Sequence, residues 1–127
     1  MAGEFGAFIA RQRIEKDVRL KPIAERLGVS VTYLSDIIKG RKKPPHDKDR
    51  LESLAKALNL SEEERGEMFD LVGREWKLVS PDLAEYIMDE SLPNARLALR
   101  RAKRHGLGDV FWQEVNQIIS KRSGDEC

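Results

Sequence analysis

The chain has a single cysteine in 127 residues, Cys127. No disulfide can close within it and no cysteine-rich metal site can be built. Its two histidines, His46 and His105, have no Cys or carboxylate at ligand spacing, and both read as surface residues with no metal to hold. No Ser/His/Asp or Cys/His set stands in a matching context, and no glycine-rich phosphate loop occurs. Catalysis is therefore not expected, nor is a cofactor. Nowhere do the ~18 apolar residues that a membrane helix needs run together. The sequence also shows no secretory apolar segment at its start, so the expected compartment is the cytoplasm, with no membrane partner. Segments that alternate with the period of a strand are missing too, and there is no internal repeat.

Net charge is nearly absent at +1, but the balance is uneven along the chain. Residues 1–46 hold ten Lys/Arg against five Asp/Glu, a net of +5, and residues 47–127 hold thirteen against seventeen, a net of −4. Residues 61–90 alone carry ten acids and three bases. A polyanion would be met by the first part, and the acidic segment would face away from it.

The most informative stretch is Leu20 to Pro44, LKPIAERLGVSVTYLSDIIKGRKKP. Ile23, Ala24, Leu27, Val29, Leu34, Ile37 and Ile38 recur at helical spacing on both sides of Gly28. Ala24 is small, as a closely crossing second helix requires. Gly28 permits the backbone to turn where the first helix of the pair ends. Ser30 can cap the second helix, which leaves Val31, Thr32, Ser35 and Asp36 on its outer face. Small and polar side chains at a helix start, with Arg and Lys beside them, suit a DNA major groove.

These residues resemble the lambda-repressor-like (Cro/C1-type, XRE) helix-turn-helix family over roughly Phe5 to Met68. The matching pattern is Ile23-Ala24, Gly28-Val29-Ser30, Tyr33-Leu34-Ser35, Ile37, Gly40, Pro44, Leu51, Leu54-Ala55 and Leu58. The resemblance implies a bundle of about five helices whose third enters the major groove, in a dimer that reads two half-sites about one duplex turn apart. Two positions depart from the family. Leu20 stands where many members have a phosphate-clamping Gln, which shifts that contact to Lys21 or to backbone amides. Ile38 stands where many have a Glu paired with the Arg of helix one. Arg13 is then free for DNA or for a carboxylate such as Glu15 or Asp17.

The expected fold is all-α: a five-helix lambda-repressor-like bundle with a C-terminal helical extension. Helix one spans about Phe5 to Lys16, with Phe8, Ile9 and Ile14 inward. Helix two spans Leu20 to Leu27, with Pro22 tolerable in its first turn, and helix three spans Val31 to Lys39. Helix four covers about Asp47 to Leu58. Helix five opens on the capping box Ser61–Glu64 and runs to about Glu75. Beyond it, the spacing predicts a short helix from Ser80-Pro81-Asp82 to Met88 and a basic helix to His105. A last helix, capped by Asp109, runs from Val110 to about Lys121, and the tail after it should fray. The domain expectation is residues 1–76 for DNA binding and 77–127 for dimerisation or a protein partner.

By resemblance, Val31, Thr32, Ser35 and Asp36 meet base edges: Val31 offers a methyl surface, Thr32 adds a hydroxyl, and Asp36 could accept from cytosine N4. Asp36 could equally cap its helix or bridge to Lys39. Phosphate contact is expected from Arg13, Lys21, Tyr33, Lys39, Arg41, Lys42 and Lys43; Tyr33 could instead cover the core edge, and the lysine run could be a solvated loop. The cluster Arg100-Arg101-Ala102-Lys103-Arg104 either adds DNA contact or, the simpler reading, is a solvated face opposing the acidic segment of this or a second subunit. Phe111, Val115, Ile118 and Ile119 form an apolar stripe for dimerisation, with packing on the bundle as the alternative. The functional expectation is a homodimeric prokaryotic or phage transcriptional regulator, a repressor that occludes polymerase at a near-palindromic operator on double-stranded DNA. The alternatives are an antitoxin-like or accessory DNA-binding protein with a protein partner, and a helix-turn-helix interaction module that does not bind DNA.

Overall fold

A computed structural model of the protein describes residues 3–124; Cys127 lies outside them. Among the described residues there is no strand, and eight helices follow one another: α1 (Glu4–Glu15), α2 (Leu20–Leu27), α3 (Val31–Ile38), α4 (Lys48–Ala57), α5 (Glu62–Trp76), α6 (Pro81–Ile87), α7 (Pro93–Arg104) and α8 (Asp109–Ser123). The chain divides into two compact units, residues 1–86 and 87–127. No described helix is long and apolar enough to cross a membrane.

The first unit is organised by which face each helix can bury. Phe5, Phe8, Ile9 and Gln12 recur at i, i+3, i+4 and i+7, so they share the inner face of α1, and all are buried. Ile14, expected inward, lies on the opposite side of that helix and is 73 % exposed. The polar Gln12 holds the inner position at the end of the stripe instead. Ile23 and Leu27 of α2, Leu34 and Ile37 of α3, Leu51, Leu54 and Leu58 at α4, and Met68, Phe69 and Val72 of α5 complete one core. Within it α2 packs on α4 and α3, while α1 packs on α3 and α5.

The α1–α3 crossing depends on Gly6. A Cβ at that position would stand 2.2 Å from the Ile38 carbonyl oxygen and 2.8 Å from that of Ile37. Both are main-chain atoms of α3 and its end, so nothing there can swing aside. The close approach carries Ile38 against the core as a half-buried apolar residue.

Helix ends are closed by side chains and by polar ties between elements. Ser61 and Glu64 form the expected capping box, with Ser61 N donating to Glu64 Oε1 at 2.9 Å and Glu64 N to Ser61 Oγ at 3.1 Å. Glu64 also accepts from Lys16 at 3.0 Å and from Gln12 at 3.2 Å, which ties α5 to the end of α1. These donors, the Ser61 amide first, hold the Glu64 carboxyl down to about 2. Arg65 grips Glu52 of α4, stands 3.9 Å from Asp82 of α6, and lies over the Phe69 ring. Burial pushes the Asp82 carboxyl above its usual range, with Arg65 working against it. Through Arg65, α4, α5 and α6 are linked.

In the second unit, Arg96 donates to the carbonyls of Ile87 and Asp89, both at 2.7 Å, and so fixes the entry to α7. Gly106 takes φ +65° in the turn that follows α7. Gly108, not Asp109, is the N-cap of α8; Asp109 is its first helical residue and accepts weakly from Gln113 at 3.4 Å. The helix runs past Lys121 to Ser123, where fraying was expected. Of the apolar stripe on α8, Phe111 and Val115 are half-buried, while Ile118 and Ile119 are exposed.

Two glycines separate packing from propensity. Gly66, in the middle of α5, has no atom within 4 Å of where a Cβ would stand. Gly66→Ala is expected to raise stability in urea unfolding by up to ~1 kcal/mol. Gly6→Ala should instead lower it by about 1–3 kcal/mol, because the added carbon meets main-chain oxygens. Equal gains from both would mean that α1 and α3 do not cross this closely.

Candidate nucleic-acid interface

The candidate surface begins with the turn at Gly28. Its φ of +71° ends α2 in the left-handed region, and the Val29 amide returns to the Ala24 carbonyl at 3.0 Å. Two residues on, Ser30 Oγ accepts from the Tyr33 amide at 3.0 Å, satisfying one of the free N–H groups at the start of α3. Leu34 and Ile37 are buried, and this sets the rotation of α3. Val31, Thr32 and Tyr33 consequently lie exposed on its first turn, while Ser35 and Asp36 are half-buried on its flank. Of the four expected base-contact residues, Val31 and Thr32 are thus open, and Ser35 and Asp36 are only partly so.

Asp36 has a different partner from the one expected. It bridges to Arg41 at 3.7 Å rather than to Lys39, and its carbonyl accepts from the Arg41 and Lys42 amides at 2.8 and 3.3 Å. The bridge sets a cation beside the one acid of α3. Lys39 caps the helix and is exposed, as is Lys21 in the first turn of α2. Arg13 is half-buried, and its guanidinium donates to the Val18 carbonyl at 3.3 Å, closing the loop between α1 and α2. Neither Glu15 nor Asp17 forms an ion pair with it among the described residues.

The basic loop is backed by aromatic rings. Lys42 Nζ lies 5.5 Å from the centroid of the Tyr33 ring, and Lys43 Nζ lies 4.7 Å from that of Trp76. Trp76 Nε1 donates to the Pro44 carbonyl at 2.8 Å, and His46 meets the same indole edge-on at 4.8 Å. Trp76, at the end of α5, therefore pins the loop that follows α3. It was absent from the sequence expectations, although Phe69, Val72 and Trp76 recur at i, i+3 and i+7 and so mark a common face. Arg50 was missed as well. Its guanidinium lies 4.0 Å from where a Gly28 Cβ would stand and pairs with Asp47 at 3.7 Å. With Val29, Tyr33, Lys43 and Trp76 it lines a cleft of about 390 Å³ beside the start of α3. No group of three or more described His, Cys, Asp or Glu side chains could hold a metal ion.

A helix-turn-helix domain profile matches residues 4–68, just over half of the chain. The chain belongs to the helix-turn-helix domain family. Two curated relatives are described as uncharacterized HTH-type transcriptional regulators, one from Mycobacterium tuberculosis strain CDC 1551 / Oshkosh and one from strain ATCC 25618 / H37Rv. Each is 45% identical over 58 residues, which is 46% of this chain and 40% of the relative. The chain thus spans about two fifths of the length of the curated relatives it matches. No solved structure matches it. The matched stretch contains the helix-turn-helix itself, α2 to α3, and ends within α5 at Met68, short of Trp76.

If the loop after α3 faces phosphates, the combined change Arg41→Ala, Lys42→Ala and Lys43→Ala weakens binding to all duplexes alike. The slope of log affinity against log salt should then flatten by roughly one unit per lost contact. An unchanged slope in a salt titration would return the loop to solvent.

Proposed function

We propose that this protein is a sequence-specific transcriptional regulator that binds double-stranded DNA in the manner of the Cro/C1 (XRE) group, as a homodimeric repressor of a near-palindromic operator. The observation that carries this reading is the first turn of α3. Its Ser30-capped start leaves Val31 and Thr32 open to the outside, while Leu34 and Ile37 anchor the helix from behind. Membership of the helix-turn-helix family and the regulator names of its relatives support it. In this reading α3 lies in the major groove, with Thr32 and Val31 at base edges and Ser35 and Asp36 beside them. Lys21, Tyr33, Lys39, Arg41, Lys42 and Lys43 face the flanking phosphates. Arg13 shapes the turn before α2 through the Val18 carbonyl, and its partly exposed guanidinium is a further proposed phosphate contact.

Phosphate contacts then supply most of the affinity, and α3 supplies the preference among sequences. Residues 1–76 carry DNA binding, and the remainder joins two copies through the α8 stripe of Phe111, Val115, Ile118 and Ile119. Repression follows from occlusion of polymerase, in the cytoplasm. The exposed Ile118 and Ile119 also favour a second reading, in which that stripe takes a different protein, as in an antitoxin or accessory factor.

Sedimentation separates the two assemblies. Ile118→Asp should give a folded monomer with much reduced operator affinity, since a charge at the centre of a self-complementary stripe is repeated twice. A monomeric wild type would rule out the homodimer and leave the stripe to a partner.

Sequence reading itself is tested at Thr32. Its short side chain reaches base edges but not the far phosphates, so Thr32→Ala should change preference between operators and leave affinity for random DNA nearly intact. One lost base contact amounts to about 1–3 kcal/mol, or roughly 5- to 150-fold in that preference. Selection over randomised duplexes with both proteins would show the change at one symmetric pair of positions. Identical preferences would mean that α3 is not read through this residue.

A further inference from the structure

The second unit carries a charged surface that the α3 reading leaves unused. Helix α7 has five bases, Arg96, Arg100, Arg101, Lys103 and Arg104, and no acid. At ~100° per residue these bases fall within one arc of about 160° around the helix, and Ala95, Ala98 and Ala102 fall on the opposite side. The alanine side is the structural one: Ala102 is buried, and Ala98 and Ala102 share with Leu107 and Phe111 the wall of a cavity of about 240 Å³. Arg96 is held by main-chain carbonyls. Arg100, Lys103 and Arg104 are exposed and form no ion pair among the described residues.

Three of the bases lie in the last turn of α7, where cations also favour the helix dipole. That effect accounts for a charge near the C-terminus, but it acts only within the last turn and leaves Arg100 outside it. Of the acidic segment, Glu64, Glu67 and Asp82 are paired within the first unit, with Lys16, Arg11 and Arg65, and no ion pair among the described residues joins any acid to Arg100, Lys103 or Arg104.

We infer that the basic arc of α7 is a second contact for the DNA backbone, made by Arg100, Lys103 and Arg104 on phosphates additional to those met by α3 and its loop. This rests on the DNA-binding reading of the first unit. α7 follows the last helix of the first unit by only residues 88–92, so a contact made by α7 on DNA already held by the first unit is intramolecular. A tether that short sets an effective concentration of the order of mM, so contacts too weak to act alone add to affinity. The contacts carry no base information, and they should strengthen all sequences equally.

The test is a salt titration of the full chain on a random-sequence duplex several turns long, read by fluorescence anisotropy. Arg100→Ala, Lys103→Ala and Arg104→Ala together should flatten the salt slope by about 2.7 units for three lost contacts. Arg100→Lys with Arg104→Lys keeps the charge and should keep the slope, which separates a lost contact from a disturbed helix. Wild-type slope in the triple variant overturns the inference. Wild-type slope with lost binding to phosphatidylglycerol vesicles would give the helix to a lipid surface, and wild-type slope with smaller species in sedimentation would give it to contact between copies; both overturn it. If the wild type binds no duplex at low salt, the DNA-binding reading itself falls, and this inference with it.

Discussion

The closest constraint in the first unit is the approach of α1 to the end of α3 at Gly6. With 2.2 Å between a would-be Cβ and the Ile38 oxygen, only glycine lets the two backbones meet. That contact holds α3 from the side opposite its exposed turn. Leu34 and Ile37 then enter the core at one rotation only, and Val31 and Thr32 are turned outward by the same rotation. An apolar Ile38, packed against the core, completes the arrangement. Arg13 turns to the Val18 carbonyl, so the loop before α2 is closed by a hydrogen bond to main chain and needs no buried ion pair.

What the sequence made legible is local chemistry. Gly28 in a left-handed turn, Ser30 as a cap and Ser61–Glu64 as a capping box each follow from one or two residues and their spacing. The helical periods of α2, α3 and α4 were readable because their apolar residues repeat without interruption. Apart from the ends of α8, the misreadings concern which neighbour a side chain finds. Ile14 is apolar but lies across the helix from Phe5 and Phe8, and an apolar residue on the wrong face stays in solvent. Gln12 holds an inner position because Glu64, 52 residues away in sequence, accepts from it. Trp76 reaches the loop after α3 across 32 residues to Pro44. No spacing rule carries such distances, since they are set by how α5 returns past α1.

Electrostatics divides the surface by which charges are already answered. The exposed ion pairs of the first unit contribute little stability each, but they determine which bases remain available. Lys16, Arg11 and Arg65 are taken by Glu64, Glu67 and Glu52. The loop cations are placed differently, because two of them lie over aromatic rings and not beside carboxylates. A ring draws a cation into place without cancelling its charge. Lys42 and Lys43 therefore keep their full attraction for an anion while giving up part of their conformational freedom in advance.

That pre-ordering bears on how a short recognition helix could work at all. Val31 and Thr32 offer a methyl surface and a hydroxyl, and nothing on the first turn of α3 forms the bidentate pairs that discriminate bases most strongly. Binding by such a helix has to draw its free energy from the backbone, and ordering long lysine side chains at the interface costs about 0.5–1.5 kcal/mol each. Lysines already seated on Tyr33 and Trp76 incur less of that cost. Trp76 is thus more than a core residue at the end of α5: by accepting Lys43 on its face and donating to Pro44, it fixes the course of the chain after α3. The same rotation of α3 that exposes Thr32 places Tyr33 beside Lys42. In the proposed DNA-binding reading, register in the groove and register on the backbone are therefore set by one packing arrangement.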